Sequence, residues 1–216
     1  MSEIKVLFFK YSPWFVLLLA FWVILKQKDW NTKIIKPIKY YLILAVLTQA
    51  LSLYLWSLGK NNLPILHGYT ILEFVVIIWL YKIVILEKIS EKLFILLLIS
   101  FIVFSILDSI MIESMYSFNT YSRSIEALIF VLLSMIWFTN RLSKNVSEEF
   151  TINNGVDYII GGFFIYFSGS IVLFSFSNYI NNLTYSLALN IWSFHTMLLL
   201  LMYILITVGL YKCRIK

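Results

Sequence analysis

The side chains with which this chain could do chemistry stand inside segments apolar enough to cross a bilayer. They are Glu73, Asp108, Glu126, Arg123, His67 and His195, with the amide of Gln49. A charge at the bilayer centre costs upwards of about 2.5 kcal/mol, so such groups pair, protonate or reach water, and they mark pathways and sites. Glu73 is the most demanding, near the middle of LPILHGYTILEFVVIIWLY (Leu63 to Tyr81). Tyr69 and Thr70 precede it by four and three residues and share its helical face. Arg123 and Glu126, three apart, can pair on one face, which Asn119 and Ser122 extend. Ser105 stands three before Asp108, and Trp192 three before His195. The set suits a polar binding pocket in which Arg123 pairs with Glu126 or holds an anionic ligand. His195 can bond Glu73 if their helices touch. Alternatively, His67, His195, Glu73 and Asp108 could ligate a divalent metal.

Seven apolar segments must position these groups: approximately 11–25, 38–58, 63–81, 93–112, 121–140, 156–178 and 185–211. A helix crosses the hydrocarbon core of about 30 Å in about 20 residues, each rising about 1.5 Å. Lys5 and Lys10 ahead of the first run resemble a signal peptide, but KQKDWNTK follows where a small-residue cleavage site would stand, so the run reads as an uncleaved helix. GKNNLP (Gly59 to Pro64) is a short turn, with Gly and Asn as helix stop and Pro as helix start. YKIVILEKISEK (Tyr81 to Lys92) reads as an amphipathic helical end, and RLSKNVSEEFTINNG (Arg141 to Gly155) is the most soluble-looking loop. Gly161, Ser168 and Ser175 fall on one face and predict close helix packing.

Composition agrees. Hydrophobic residues make up 61% of the 216 and charged residues 13%, against roughly 25% charged in soluble domains, so no separate soluble domain fits. Residues 1–216 read as one integral membrane domain. The net charge of +6 does not point to nucleic acid, because the basic residues lie between apolar spans. The single cysteine, Cys213, excludes an intrachain disulfide and a cysteine-ligated zinc site. Lys26, Lys28, Lys33, Lys36, Lys39, Lys82, Lys88, Lys92, Arg141, Lys144, Lys212, Arg214 and Lys216 fall on one side, against Lys5, Lys10, Lys60 and Arg123 on the other. Positive-inside bias then places the N-terminus outside and the C-terminus in the cytoplasm.

On that orientation the polar groups share a leaflet. Glu73 and His195 lie about 15 Å, Gln49 about 14 Å, Glu126 about 8 Å, His67 and Asp108 about 6 Å and Arg123 about 3 Å below the outer helix ends. Groups of purely structural use would have no preferred leaflet; a hydrated pocket open to the outside would gather them. No H-x-x-x-H or H-E-x-x-H pair occurs to support a metal-dependent lipid hydrolase. No G-x-S-x-G elbow, phosphate-binding glycine loop, haem motif or flavin motif stands out. A transporter needs a polar path through both leaflets, and this one stops half way.

HGYTILEF (His67 to Phe74), YSRSIEALIF (Tyr121 to Phe130), FFIYFSGSIVLFSFSNYI (Phe163 to Ile180) and NIWSFH…LITVGLYK (Asn190 to Lys212) resemble an uncharacterised seven-span integral membrane protein family of Bacteroidetes-type bacteria. The resemblance implies seven spans and brings no activity. The sequence thus predicts an all-α, seven-transmembrane-helix bundle, multi-pass in a bacterial inner (plasma) membrane. Its expected role is a sensory or ligand-binding module with an outward-facing polar pocket of Glu73, Glu126, His195, Arg123, His67, Asp108 and Gln49. A metal-dependent intramembrane lipid hydrolase and a small-solute transporter are the alternatives. The expected partners are the lipid bilayer and a cytoplasmic signalling protein; the reading calls for no cofactor and no nucleic acid.

Overall fold

A computed structural model describes residues 11, 14–15, 17–22, 25, 33–85, 89–143 and 150–214. The elements in order are α1 (Ile35–Ser57), α2 (Leu63–Ile85), α3 (Glu91–Leu107) with a π-helical extension (Asp108–Ile112), α4 (Thr120–Ser143), α5 (Phe150–Ser175), the short α6 (Ser177–Ile180) and α7 (Tyr185–Arg214). Among the described residues, six helices are long and apolar enough to cross a membrane. The fold is all-α and multi-span. Of the first predicted span, residues 11, 14–15, 17–22 and 25 are helical, and the others lie outside the described residues. So do 86–88 of the predicted amphipathic end and 144–149 of the predicted loop.

Local chemistry sets the boundaries. Gly59, with φ 66°, stands just past α1. Lys60 N donates to Leu55 O at 2.9 Å and Gly59 N to Trp56 O at 3.0 Å, the paired closure that a left-handed glycine permits at a helix end. Asn61 Oδ1 then accepts from Leu63 N at 2.9 Å, and Pro64 sits in the first turn of α2, where its missing N–H costs nothing. Ser90 caps α3 through Leu93 N, and Glu91 of its first turn pairs with Lys82.

Chain contacts divide the molecule into two compact units. The first, here the polar unit, is Trp30–Glu126 with Phe174–Asn178. Within it α1 packs on α2 and α2 on α3. The inward face of α2 runs His67, Thr70, Glu73, Phe74, Ile77 and Tyr81, polar at one end and apolar at the other. Phe74 stacks on Phe101 at 3.8 Å between ring centres. α3 is apolar on every side, yet buries only Phe94, Phe101 and Ser105, with Asp108 following. Ile99, Val103, Ile106 and Ile110 are exposed, as on a helix whose surroundings are lipid.

The second, here the glycine unit, comprises Ala127–Leu173, Tyr179–Lys216 and the chain before Trp30. Its core includes Phe130, Phe163, Phe167, Met202 and Ile206. α5 and α7 approach through Gly155, Gly162, Gly169 and Gly209. A Cβ on Gly209 would stand 2.6 Å from Gly155 O, and one on Gly162 3.1 Å from Met202 O. Gly155, Gly162 and Gly169 recur every seven residues and so hold one face toward α7. This corrects the predicted packing stripe by one residue. At Gly161 a Cβ would meet only Phe138 Cζ, at 3.8 Å. Both stripes have the same spacing, and spacing alone does not say which one faces a neighbour.

Candidate functional site

One end of the polar unit carries a dense set of buried polar side chains. At its centre is a triad. Arg123 Nη1 pairs with Glu73 Oε2 and, at 2.6 Å, with Glu126 Oε2. Tyr69 Oη donates to Glu73 Oε1 at 2.8 Å. Glu73 is 1% exposed, Glu126 0%, and the Arg123 side chain 14%. Helix spacing explains half of the arrangement: Tyr69 and Glu73 are four apart on α2, Arg123 and Glu126 three apart on α4. The contact of α2 with α4 supplies the rest. The guanidinium carbon lies 4.6 Å from the Phe174 ring centre and 5.8 Å from that of Tyr69, within range of cation–π attraction.

Around the triad, hydrogen bonds fix the first turn of α4. Asp108 Oδ2 accepts from Ser122 N at 3.2 Å and Ser122 Oγ at 2.5 Å. Glu113 Oε2 accepts from Tyr121 N at 3.3 Å and its Oε1 from Asn178 Nδ2 at 3.1 Å. Two carboxylates thus meet N–H groups that a helix start leaves without partners, at the positive end of its dipole. The π-helical turn carries Asp108, whose carbonyl accepts from Glu113 N at 2.8 Å. Burial pushes the Glu113 carboxyl above its ordinary pKa, against the lowering pull of hydrogen bonds from Thr120 and Tyr121. Asn119 Nδ2 donates to Thr70 Oγ1 at 2.6 Å, tying the start of α4 to α2.

His67 lies beside this network. Its Nε2 donates to Ser117 O at 3.1 Å, because a carbonyl only accepts, and its Nδ1 is 2.7 Å from Ser109 Oγ. Ser109 Oγ in turn is 2.9 Å from Ser105 O. The end of α5 and the start of α6 close the set: Ser175 Oγ meets Ser124 Oγ at 2.9 Å, and Ser177 Oγ meets Thr120 Oγ1 at 3.3 Å.

Glu73, Arg123, Glu126, Asp108 and His67 therefore belong to one connected polar end. Gln49 is half-buried on α1. His195 belongs to the glycine unit, where its Nε2 is 3.2 Å from Tyr166 Oη and Trp192 meets its ring edge-on at 5.8 Å. Among the described residues, no three His, Cys, Asp or Glu side chains are grouped so as to hold a metal ion. The sequence reading passed over Phe174, Asn178, Glu113, Ser109 and Ser117. The polar cluster at the end of the sixth span (Ser175, Ser177, Asn178) was the available sign that this turn joins the site.

Polar atoms left over are as informative as those paired. At this site Glu126 Oε1, Asp108 Oδ1 and Ser105 Oγ have no hydrogen-bond partner, and elsewhere among the described buried side chains Ser52 Oγ, Asn140 Nδ2 and Ser170 Oγ have none either. A buried oxygen without a donor costs about 1–3 kcal/mol. In the glycine unit, Asp157 accepts from Trp137 Nε1 at 3.0 Å and Arg141 Nε at 3.2 Å, so its carboxylate is shared by both. Comparison with protein-family models, curated proteins and solved structures finds no match.

Proposed function

We propose that this chain is a sensory or ligand-binding module of a bacterial inner membrane, with a polar site reached from outside at the Glu73–Arg123–Glu126 triad. The observation that carries the reading is one guanidinium serving two carboxylates that are both almost fully buried. Glu73 sits on α2 and Glu126 on the same helix as Arg123. A ligand that alters either carboxylate changes how firmly Arg123 clamps α2 to α4. To sense a ligand the clamp must have two arrangements, whose populations the ligand shifts through different contacts in each. The Arg123 side chain, 14% exposed, and half-buried Tyr69 form the accessible edge of the triad. On this reading the first predicted span makes a seventh crossing, and basic cytoplasmic segments meet anionic lipid or a signalling protein.

Access is the test. In a Cys213→Ser background, Tyr69→Cys should react with a membrane-impermeant maleimide added outside intact spheroplasts. Labelling only after the cytoplasmic face is opened, or from neither face, would overturn an outward-facing site.

A further inference from the structure

We infer that His67 is a proton-binding latch: on taking a second proton, its ring locks the end of α3 and the turn before α4 onto α2. The inference goes beyond the triad reading and does not rest on it. Its ground is a count of protons. Nε2 must carry one, because its partner Ser117 O, 3.1 Å away, only accepts. On the other side of the ring, Ser109 Oγ lies within bonding distance of two groups, His67 Nδ1 at 2.7 Å and Ser105 O at 2.9 Å. A hydroxyl has one proton to give. With a neutral ring, Nδ1 and Ser105 O are both acceptors, so that proton serves one of them or is split between the two. With an imidazolium, Nδ1 donates to Ser109 Oγ and Ser109 Oγ donates to Ser105 O. Only the doubly protonated ring turns all three contacts into full hydrogen bonds at once.

The partners of the ring are themselves held in place. Ser117 N and Oγ both donate to Ser114 O, at 2.9 and 2.7 Å, which fixes the turn that presents the Ser117 carbonyl. Asn61 Nδ2 donates to Tyr116 O at 3.2 Å and ties that turn to the one between α1 and α2. His67 is buried, and the proton needs no cavity, because it enters a hydrogen bond whose heavy atoms are already in position. Burial opposes a charge on the ring, and hydrogen bonds from both of its nitrogens favour it. Histidine is the side chain whose charge ordinarily changes between about pH 5 and 8. The other charged and titratable groups of the elements packed about it are engaged elsewhere or exposed. Asp108 accepts from Ser122, and Glu113 from Tyr121 N and Asn178. Tyr69, Glu73, Arg123 and Glu126 of α2 and α4 form the triad and its edge. Tyr54 of α1, Lys60 and Tyr116 are exposed.

The chain has two histidines, so a His195→Gln background leaves one ring to read. The whole chain, with its histidine nitrogens isotope-labelled, is placed in lipid nanodiscs and followed by magnetic resonance from pH 8 to pH 5. Nδ1 should pass from the unprotonated to the protonated form over that range, while Nε2 stays protonated throughout. Ser109→Ala removes the acceptor of Nδ1–H and should weaken the hold of the ring on its second proton at least tenfold. In thermal unfolding, the parent should gain several degrees over His67→Gln on going from pH 8 to pH 6. That stabilisation belongs to the protonated ring and is lost as pH rises. A ring that keeps one form from pH 8 to pH 5 overturns the inference. So does Ser109→Ala titrating like its parent, or a Tm gap to His67→Gln that does not change with pH. Nanodiscs expose both membrane faces, so this titration stands whether or not Tyr69→Cys is labelled from outside.

Discussion

The polar end and the glycine face of this protein achieve helix contact by opposite means. In the polar unit, α2, α3 and α4 are joined by buried charges and hydroxyls: Arg123 on Glu73, Ser122 on Asp108, Asn119 on Thr70. In the glycine unit, α5 and α7 are joined by the removal of side chains, so that backbone meets backbone at Gly155 and Gly209. Lipid tails are as apolar as leucine, and helices in a bilayer associate by close packing and by polar contacts rather than by escaping water. One region uses each device. The difference lies in tolerance: a backbone contact has one fit, whereas a shared arginine can redistribute between partners. On the proposed function, the polar end is the region that responds.

That contrast makes measurable predictions. The largest effect is expected at Arg123. Arg123→Ala leaves two buried carboxylates without their cation and should cost about 3–5 kcal/mol, seen as lost thermal stability in nanodiscs. Adding Glu73→Gln and Glu126→Gln to it should recover most of the loss, because the penalty belongs to unpaired charge and not to missing volume. If the triple variant is no better than Arg123→Ala, the triad is a packing feature like the glycine face and the contrast fails.

A middle-sized effect separates neighbouring glycines. Gly209→Ala places a Cβ 2.5 Å from Ile159 Cγ1 and 2.6 Å from Gly155 O, and should cost about 1–3 kcal/mol by overpacking. Gly162→Ala meets Met202 O at 3.1 Å and should also destabilise. Gly161→Ala, one residue earlier, has only Phe138 Cζ at 3.8 Å and should stabilise by up to about 1 kcal/mol through better helix propensity. Thermal unfolding of the three variants decides it; equal signs at 161 and 162 would refute the assigned stripe.

The smallest effect concerns Glu113. Burial raises its pKa in the folded state. Its contribution to stability is thus present below the ordinary carboxylate pKa and lost as pH rises through the raised folded value. The group is half-buried, so solvent screening keeps the effect below about 1 kcal/mol. The gap in Tm between wild type and Glu113→Gln should therefore widen on going from pH 4 to pH 7, to the disadvantage of the wild type. A gap independent of pH would show that the carboxyl is held neutral or charged throughout.

Much of this was legible beforehand, and the reason is periodicity. The predicted 63–81 and 121–140 became Leu63–Ile85 and Thr120–Ser143, because uninterrupted apolar runs leave only the ends in question. The pairs Tyr69–Glu73 and Arg123–Glu126 followed from helix pitch. What pitch does not carry is the neighbour. Asn119 and Ser122 were expected to extend the Arg123 face, yet one bonds Thr70 of α2 and the other Asp108 after α3. Phe174 came into the site from the end of α5 and Asn178 from the separate short α6, which the apolar run 156–178 had joined in one span.

By itself, the sequence determined that the chain is apolar enough to live in lipid, which stretches of it form the long helices, and which side chains cannot rest unpaired there. Those follow from composition and from interactions within a few residues of one another. Only the tertiary structure decided that Glu73 shares its arginine with Glu126, that Asp108 caps a helix it does not belong to, and that Gly162 rather than Gly161 touches α7. Each of these depends on which faces meet across tens of residues, and a helix with apolar residues on every side does not announce the face it will bury.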